Sequence, residues 1–277
     1  MADILLDTIL DTIKLLPFLF ITFLIIEYLE KKIKSEQIIK KVGKKGPLVA
    51  SLLGAFPQCG FSVSATNFYV TKIISIGTLI AVYLSTSDEM IPILIAHHMP
   101  VKMIITIIGL KVIIALFWGV LIDFLLKKKS KANIHAFCEQ EHCDCKENIW
   151  LSALKHTINT IIFIFIITFF LNMAFEYIDL SSITKLMHHR FLAPFISSLV
   201  GLIPNCGASI MITESFLGGI MSFGSMMSGL LTGAGCGILV LVRSNKNIKD
   251  NLLIIGLLYS IGVISGIIIN IFNISLL

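Results

Sequence analysis

The residues best suited to chemistry occur in two copies of one short string. Pro57-Gln58-Cys59-Gly60-Phe61-Ser62 is matched, 147 residues further along the chain, by Pro204-Asn205-Cys206-Gly207-Ala208-Ser209. Cysteine sulfur is a soft ligand for thiophilic metals and metalloids, and each string places an amide oxygen beside the sulfur. The pattern predicts two half-sites for such an ion, with Cys59 and Cys206 close together. A buried cysteine that only fills space is the alternative.

Polar residues after each string extend the predicted path. Ser62 and Ser209 are each followed four residues later by a threonine, so each serine and its threonine share one helical face. These side chains either line the path or bond back to their own helix. The predicted substrate pathway consists of Pro57, Gln58, Cys59, Gly60, Ser62, Asn67, Pro204, Asn205, Cys206, Gly207, Ser209 and Glu214.

Charged residues inside the apolar stretches are few, and at membrane depth they are costly enough to suggest a function. Glu214 is the best candidate for binding a cation or carrying a coupling proton. Asp88 and Glu89 lie either at depth or in a solvated bend. Lys72 and Lys102 are interpreted as lysines that snorkel towards the headgroups.

A second group of metal-ligating residue types lies between the two copies. Three cysteines and two histidines fall within eleven residues, at His135, Cys138, His142, Cys143 and Cys145. Thiolates and imidazoles in such a group bind zinc, copper(I) or a trivalent arsenic species, although the spacing is not that of a zinc finger. Because cytosolic thiols are kept reduced, we predict capture or sensing of a thiophilic ion rather than a disulfide. The alternative is a polar linker that gained these residues by chance.

The composition is that of a polytopic membrane protein. Of 277 residues, 56% are hydrophobic and only 14% are charged, and the mean hydropathy is +0.92. Runs of about 20 apolar residues, the length that spans a bilayer, recur along the chain. The net charge of +5 is concentrated in a few loops, so it reports orientation and predicts no nucleic-acid partner. Acidic residues near the amino terminus argue against a cleaved signal peptide, and the first apolar run stays attached as a span.

The lysine-rich segments set the predicted orientation. Segments 31–45, 127–131 and 243–249 carry most of the basic residues and are therefore placed in the cytoplasm. Both termini then lie outside the cell, and the central loop lies on the cytoplasmic side of the cell membrane. The histidine pairs at 97–98 and 188–189 lie near the outer face, where they form a release site or have no function.

Self-similarity at a fixed offset from Gly54/Gly201 to Leu94/Leu241 indicates a duplicated unit. The first block of about 50 residues runs from inside to outside and the second from outside to inside, so the repeat is predicted to be inverted. Proline and glycine in the strings predict helix breaks, although they would also serve close helix packing. Each block crosses once with a re-entrant hairpin, or three times with short tilted segments; we favour three.

The predicted fold is therefore an all-α polytopic membrane protein of about ten transmembrane segments, arranged as two inverted five-segment repeats with broken or re-entrant helices. Residues 1–126 form the first repeat, residues 127–149 a cytoplasmic Cys/His-rich linker, and residues 150–277 the second repeat.

These features together resemble a known family. The twin Pro-x-Cys-Gly strings, the inverted five-segment halves and the Cys/His-rich loop are similar to those of the ten-span heavy-metal exporter family, which is related by name to the arsenic permeases and includes members described as manganese transporters. The resemblance covers nearly the whole chain and implies efflux of arsenic or another heavy metal from a prokaryotic cytoplasm. The matching motif positions are Pro57, Cys59, Gly60, Pro204, Cys206 and Gly207.

We therefore predict a secondary-active efflux transporter for a heavy-metal or metalloid ion. The chain has no Walker A string and no recognisable phosphorylation motif, so a proton or counter-ion is the expected driver. The expected partners are the lipid bilayer and the small inorganic ion, which is substrate rather than cofactor. The ion and the oligomeric state stay open.

Three other functions stay open. A manganese or other divalent-cation exporter would depend on the oxygen atoms of Gln58, Asn67, Asn205 and Glu214, because manganese prefers oxygen ligands. An intramembrane enzyme is suggested by Gly-x-Ser in both strings, but no histidine lies in a predicted mid-membrane segment to act as its base. The third possibility is an energy-coupled partner subunit without activity of its own.

Overall fold

The computed structural model of the chain describes residues 2–32, 46–55, 59–86, 90–126, 149–177 and 192–272. Within these ranges every regular element is a helix. The twelve helices are α1 (Ala2–Lys32), α2 (Gly46–Gly54), α3 (Cys59–Val70), α4 (Ile76–Ser85), α5 (Met90–Ala96), α6 (Val101–Leu125), α7 (Ile149–Tyr177), α8 (Ala193–Gly201), α9 (Cys206–Leu217), α10 (Phe223–Thr232), α11 (Gly237–Ser244) and α12 (Ile248–Ile271).

The second six helices repeat the first six. Each of α1 to α6 has a counterpart that begins 147 residues later, from α1 and α7 at one end of the series to α6 and α12 at the other. The sequence match covers only the middle of each copy, whereas the helix starts agree over its whole length. The described helices thus follow one pattern twice.

Among the described residues, six stretches are long and apolar enough to cross a membrane. They are Thr8–Ile25, Ile76–Ala96, Val101–Leu125, Ala153–Met173, Phe223–Ser244 and Ile248–Ile271. Two of them are broken, because Ile76–Ala96 contains α4 and α5, and Phe223–Ser244 contains α10 and α11.

The remaining helices form two pairs, α2 with α3 and α8 with α9, and none of them exceeds 12 residues. A helix of that length covers about 18 Å, against a hydrocarbon core of about 30 Å. Of the two arrangements left open above, one crossing with a hairpin therefore fits each block better than the favoured three crossings. The four short helices, α2, α3, α8 and α9, together with the six long stretches make ten segments.

The first short pair folds back on itself beside α4. At the start of α2, a Cβ added to Gly46 would lie 2.5 Å from Oγ1 of Thr78, and at its end one added to Gly54 would lie 3.1 Å from Cα of Val82. Helix α2 thus runs parallel to α4. Helix α3 returns, because its last turn is only six residues from the start of α4. Cys59, the first residue of α3, belongs to the first string.

Small residues allow close packing within each half. A Cβ added to Gly119 on α6 would lie 2.9 Å from Cβ of Ala81 on α4, and one added to Gly266 on α12 would lie 2.6 Å from the carbonyl oxygen of Gly224 on α10. Such contacts let helix backbones approach in a membrane, where packing rather than the hydrophobic effect drives association. Gly224 thus allows close helix packing, while Gly219, with φ of 70°, serves a turn.

The two halves are joined by helices of one copy that pack on helices of the other. Helix α1 packs against α7, α3 against α11, α5 against α9, and α4 crosses α10. At the start of α12, Tyr69 Oη donates a hydrogen bond to Asp250 Oδ2 at 2.6 Å. At its far end, Ser222 Oγ donates to Asn270 Oδ1 at 2.8 Å. The last turn of α3 in the first copy therefore contacts the start of α12, whereas the turn before α10 contacts its far end.

Candidate functional site

The two broken spans place helix ends inside the protein. Helix α4 ends with Thr86 as its C-cap, and α10 ends with Gly233 as its C-cap. The last carbonyls of a helix lack intrahelical donors and carry the negative end of the helix dipole. Within a bilayer no water is at hand to satisfy them, so other protein groups must do so.

Lys111 donates hydrogen bonds to carbonyl oxygens at both helix breaks. Its side chain is 1% exposed and lies near the middle of the 25-residue helix α6. The Nζ atom donates to the carbonyl oxygen of Leu230, near the end of α10, at 3.0 Å. It also donates to the carbonyl oxygen of Thr86, the C-cap of α4. One ammonium thus joins carbonyls from the broken helices of both copies.

This arrangement breaks the symmetry of the duplication. The position equivalent to Lys111 in the second copy is Leu258, which is also buried. In the part of the chain that the structure describes, Lys111 is the one buried lysine, arginine, aspartate or glutamate. An ammonium at bilayer depth costs at least about 2.5 kcal/mol. Its partners offset part of that cost.

The first string and the helix that follows from it contact the broken span of the second copy. Thr66 Oγ1 lies 2.6 Å from Tyr83 Oη and 3.2 Å from the carbonyl oxygen of Gly237, the first residue of α11. A Cβ added to Gly237 would lie 2.9 Å from Cε1 of Tyr83 and 3.0 Å from Cβ of Ser62. Ser209 lies by the same break, because a Cβ added to Gly233 would be 3.6 Å from its Oγ.

The threonines that follow the two serines have local hydrogen bonds. Thr66 Oγ1 is 2.7 Å from the carbonyl oxygen of Ser62, and Thr213 Oγ1 donates to that of Ser209 at 2.8 Å. Both threonines therefore bond back to their own helix. Thr66 Oγ1 also lies within hydrogen-bond distance of the carbonyl oxygen of Gly237 in the second copy.

The second string forms the predicted break. Pro204 and Asn205 lie between α8 and α9, and Asn205 caps α9 by accepting a hydrogen bond on Oδ1 from the Gly207 amide at 2.7 Å. Its Nδ2 donates to Asn172 Oδ1 at 2.6 Å, and Asn172 Nδ2 donates to Thr8 Oγ1 at 2.9 Å. The break is thus anchored to α7 and α1. The role of Asn205 as a substrate ligand stays a prediction.

The first string is described in part. Pro57 and Gln58 lie outside the described residues, whereas Cys59 begins α3 and is followed by the buried Gly60. Cys206 begins α9 in the same way. The side chains of both cysteines lie outside the described part of the structure, so their approach to each other stays a prediction.

Asn67 and Glu214, which are equivalent in the repeat, have different surroundings. Asn67 is fully buried, and its amide has no hydrogen-bond partner among the residues that the structure describes. Glu214 is exposed and pairs through Oε1 with Nε2 of His97 at 2.9 Å. Two separately predicted candidates, the carboxylate and the first histidine pair, are thereby brought together.

The predicted metal cluster of the linker, His135, Cys138, His142, Cys143 and Cys145, lies outside the described residues, as do His188 and His189. Among the described residues, no group of three or more histidine, cysteine, aspartate or glutamate side chains is arranged to hold a metal ion.

Sequence reasoning missed Lys111, although a single lysine in the middle of a strongly apolar helix is a visible signal. Its carbonyl partners were not visible, because they lie 25 and 119 residues away.

These features define a multi-pass helical membrane protein with a duplicated set of broken helices, an architecture typical of secondary transporters. The family model that matches the chain is described as "Putative, 10TM heavy-metal exporter", and the matches cover residues 1–177 and 162–276. The chain belongs to this family. Comparisons with curated proteins and with solved structures give no match.

Proposed function

We propose that the protein is a secondary-active exporter that moves a thiophilic heavy-metal or metalloid ion of the arsenic type out of the cell across the plasma membrane. The observation that carries this proposal is the meeting of two broken helices, one from each copy, at Lys111. Broken helices in corresponding positions of two repeats are the best structural pointer to a transport site.

The halves are proposed to have opposite orientations in the membrane. Two observations support this: among the described residues each half contains three candidate spans, an odd number, and the last turn of α3 contacts the start of α12 whereas the turn before α10 contacts its far end. The lysine-rich segments then place both termini outside and the central loop in the cytoplasm.

The ion path is proposed to run between the two hairpins, past the strings at their tips. Cys59 and Cys206 each begin a helix, and their sulfur atoms would supply the soft ligands that a thiophilic ion requires. Ser62 and Ser209 lie at the break between α10 and α11, which extends the path from the sulfur atoms towards Lys111.

Two contacts between the copies are proposed to close the path in turn. Tyr69 bonds to Asp250 near the start of α12, and His97 pairs with Glu214 on α9, three residues before the end of that helix. A transporter that exposes its site to one side at a time must open one end while the other stays closed. Polar contacts are suited to this, because water can replace them when they part.

The linker cluster is proposed to capture the ion on the cytoplasmic side before it enters the path. Thiol and imidazole ligands have the softness that a thiophilic ion requires. This role is separate from transport itself, so the path does not depend on it.

A manganese or other divalent-cation exporter is the second candidate. It is favoured by the buried amide of Asn67, an oxygen donor without a partner among the described residues. Manganese prefers such oxygen ligands to thiolates.

The two candidates are separated by a metal panel in cells with and without the gene. The accumulation of arsenite, manganese, zinc and cadmium is measured in cells that express the intact protein and in cells that carry an empty vector. We expect the intact gene to lower accumulation of arsenite or of a thiophilic metal. If only manganese changes, the role of the cysteines is wrong; if no ion changes, the exporter proposal fails.

A further inference from the structure

We propose that α1 and α7 form a unit that slides across the membrane, relative to the other helices, during transport. In the structure this unit packs against α3 and α11, and in a second state it packs against their equivalents, α9 and α5. This inference rests on the proposed export function and on the opposite orientations of the two halves. It adds the element that moves, the direction of the movement and its extent.

Helices α1 and α7 contact each other along their length and run in opposite directions. Near the start of α1, Thr8 Oγ1 accepts a hydrogen bond from Asn172 Nδ2 at 2.9 Å. Further along α1, the ring of Phe23 stacks on that of His156, with centroids 5.5 Å apart. Rising residue numbers on one helix thus meet falling numbers on the other. Because these contacts lie at well-separated places, the α1–α7 pair is expected to move as one body.

The remaining helices of each half pack in the same way in both copies. Helix α2 packs against α4 and α6, and α8 packs against α10 and α12. The hairpins also match, because α3 packs against α4 as α9 packs against α10. The two halves therefore offer the α1–α7 pair equivalent surfaces.

The α1–α7 pair uses only one set of these surfaces. Helix α1 packs against α3, and α7 packs against α11. Among the described residues, the equivalent pairs of helices, α7 with α9 and α1 with α5, are not packed together in this way. By the proposed orientation α3 and α11 lie in the cytoplasmic half of the membrane, so the α1–α7 pair covers that half.

The exposure of equivalent residues shows the same asymmetry. Val63 on α3 is fully buried in a cluster that includes Leu19 and Phe23 of α1. The equivalent residue on α9, Ile210, is 41% exposed. One face of α3 is thus covered by α1, whereas the equivalent face of α9 is open to whatever surrounds the protein.

The register of the contacts gives the size of the displacement. Thr22 Oγ1 lies 2.5 Å from Ser64 Oγ, which sets α1 beside the first hairpin at a separation of 42 residues along the chain. Asn205 Nδ2 donates to Asn172 Oδ1 at 2.6 Å, which sets α7 beside the second hairpin at a separation of 33 residues. A symmetric arrangement would make these two separations equal. Their difference of nine residues corresponds to about 13.5 Å along a helix.

The second state follows from exchanging the two registers. Because the halves repeat one pattern in opposite orientations, a state in which each half adopts the arrangement of the other has equivalent packing. The α1–α7 pair then lies about 13.5 Å nearer the outer side. There α7 covers the open face of α9, and α1 leaves α3. The strings in the two hairpins are thereby uncovered towards one side of the membrane at a time.

Equivalent positions supply the test. Thr22→Cys with Ser64→Cys reports the state in the structure, and Phe169→Cys with Met211→Cys, which are 147 residues further along, reports the second state. Each pair is introduced into the full chain in proteoliposomes and oxidised with copper phenanthroline. Linked peptides are identified by mass spectrometry, which separates them from links to native cysteines, and single-cysteine variants are the controls.

We expect both pairs to cross-link. Each cross-link should stop the efflux of Zn²⁺, Cd²⁺, Mn²⁺ or arsenite, whichever ion the wild-type protein moves, and a reductant should restore it. The inference is overturned if Phe169→Cys and Met211→Cys never link while the other pair does. Full efflux from protein held by the link between Thr22→Cys and Ser64→Cys would also overturn it. If both pairs link but wild-type protein moves none of the ions, export fails and the slide stands.

A second set of positions covers variants that do not yield folded protein. Arg243 Nη1 on α11 donates to the carbonyl oxygen of Asn159 on α7 at 2.7 Å, and the equivalent positions are Ala96 and Thr12. Cysteines at 243 and 159, joined by a thiol-specific linker, report the first state, and cysteines at 96 and 12 report the second. The same outcomes apply: a link only between 243 and 159 overturns the slide.

Discussion

Asp123 and Asn270 occupy equivalent positions in the two copies, and each accepts a hydrogen bond from the serine that caps the neighbouring helix. Ser75 Oγ donates to Asp123 Oδ2 at 2.6 Å, and Ser222 Oγ donates to Asn270 Oδ1 at 2.8 Å. The other oxygen of Asp123 also accepts from the Gly77 amide at 2.9 Å. The duplication has thus preserved a polar joint while its residue types diverged.

This joint predicts unequal costs for the same truncation. Asp123→Ala removes two acceptors and Asn270→Ala removes one, so we expect losses of about 2 and about 1 kcal/mol in the free energy of unfolding. Thermal unfolding of the purified variants in one detergent measures the difference. Equal midpoints for the two variants would show that the second acceptor of Asp123 contributes nothing.

A second prediction concerns the close approach of the first string to α11. Gly237→Ala would place a methyl group against Tyr83 and Ser62, which we expect to cost about 1–3 kcal/mol and to impair transport. Gly256→Ala on α12 is the control, because a Cβ at that position meets nothing within 4 Å. Metal-resistance assays and unfolding midpoints are compared. Full resistance in Gly237→Ala would mean that the contact has no part in the path.

The pair of His97 and Glu214 should matter for transport more than for stability. Both side chains are 47% exposed, and exposed ion pairs contribute at most about 1 kcal/mol. We expect His97→Ala and Glu214→Ala to lower transport several-fold with small changes in unfolding midpoint. The double variant should be no worse than either single variant. Additive losses would contradict a joint role in closing the path.

The cysteines of the two strings predict a loss of function without a loss of protein. Replacing both Cys59 and Cys206 by serine removes the soft ligands and should abolish metal resistance at unchanged membrane expression. Cys236→Ala is the matched control, because Cys236 is a buried free cysteine outside the strings. Unchanged resistance in the double variant would refute the role assigned to the two thiols.

Removal of residues 134–146 tests the linker cluster. If these residues capture the ion ahead of the path, their deletion should weaken transport at low metal concentration and leave it near normal at high concentration. The concentration dependence of efflux measures this. Complete loss at every concentration would assign the segment to the path itself.

Much of the helical plan was predictable from the sequence because it depends on local signals. The offset between the two strings predicted the duplication, and Pro204 with Asn205 predicted the break that separates α8 from α9. A bend near Asp88 and Glu89 was predicted, and α4 ends before these residues while α5 begins after them; the equivalent break between α10 and α11 was not predicted. At that break Gly233 caps the end of α10.

The centre of the candidate site was not predictable in the same way. Lys72 and Lys102 were recognised as lysines near the ends of apolar segments, but Lys111 was passed over, although it lies deepest. What makes Lys111 informative is its pair of carbonyl partners on two other helices, and only tertiary structure brings these together.

The two copies are held together by three pairs of helices. Helix α1 packs against its own equivalent, α7, whereas α3 packs against α11 and α5 packs against α9, which are the equivalents of α5 and α3. A half-length ancestor would therefore have had these faces uncovered until two molecules assembled as a homodimer. In this chain the same contacts form within one polypeptide, so one copy can carry Lys111 while the other carries Leu258, whereas a symmetric dimer would carry the same residue twice.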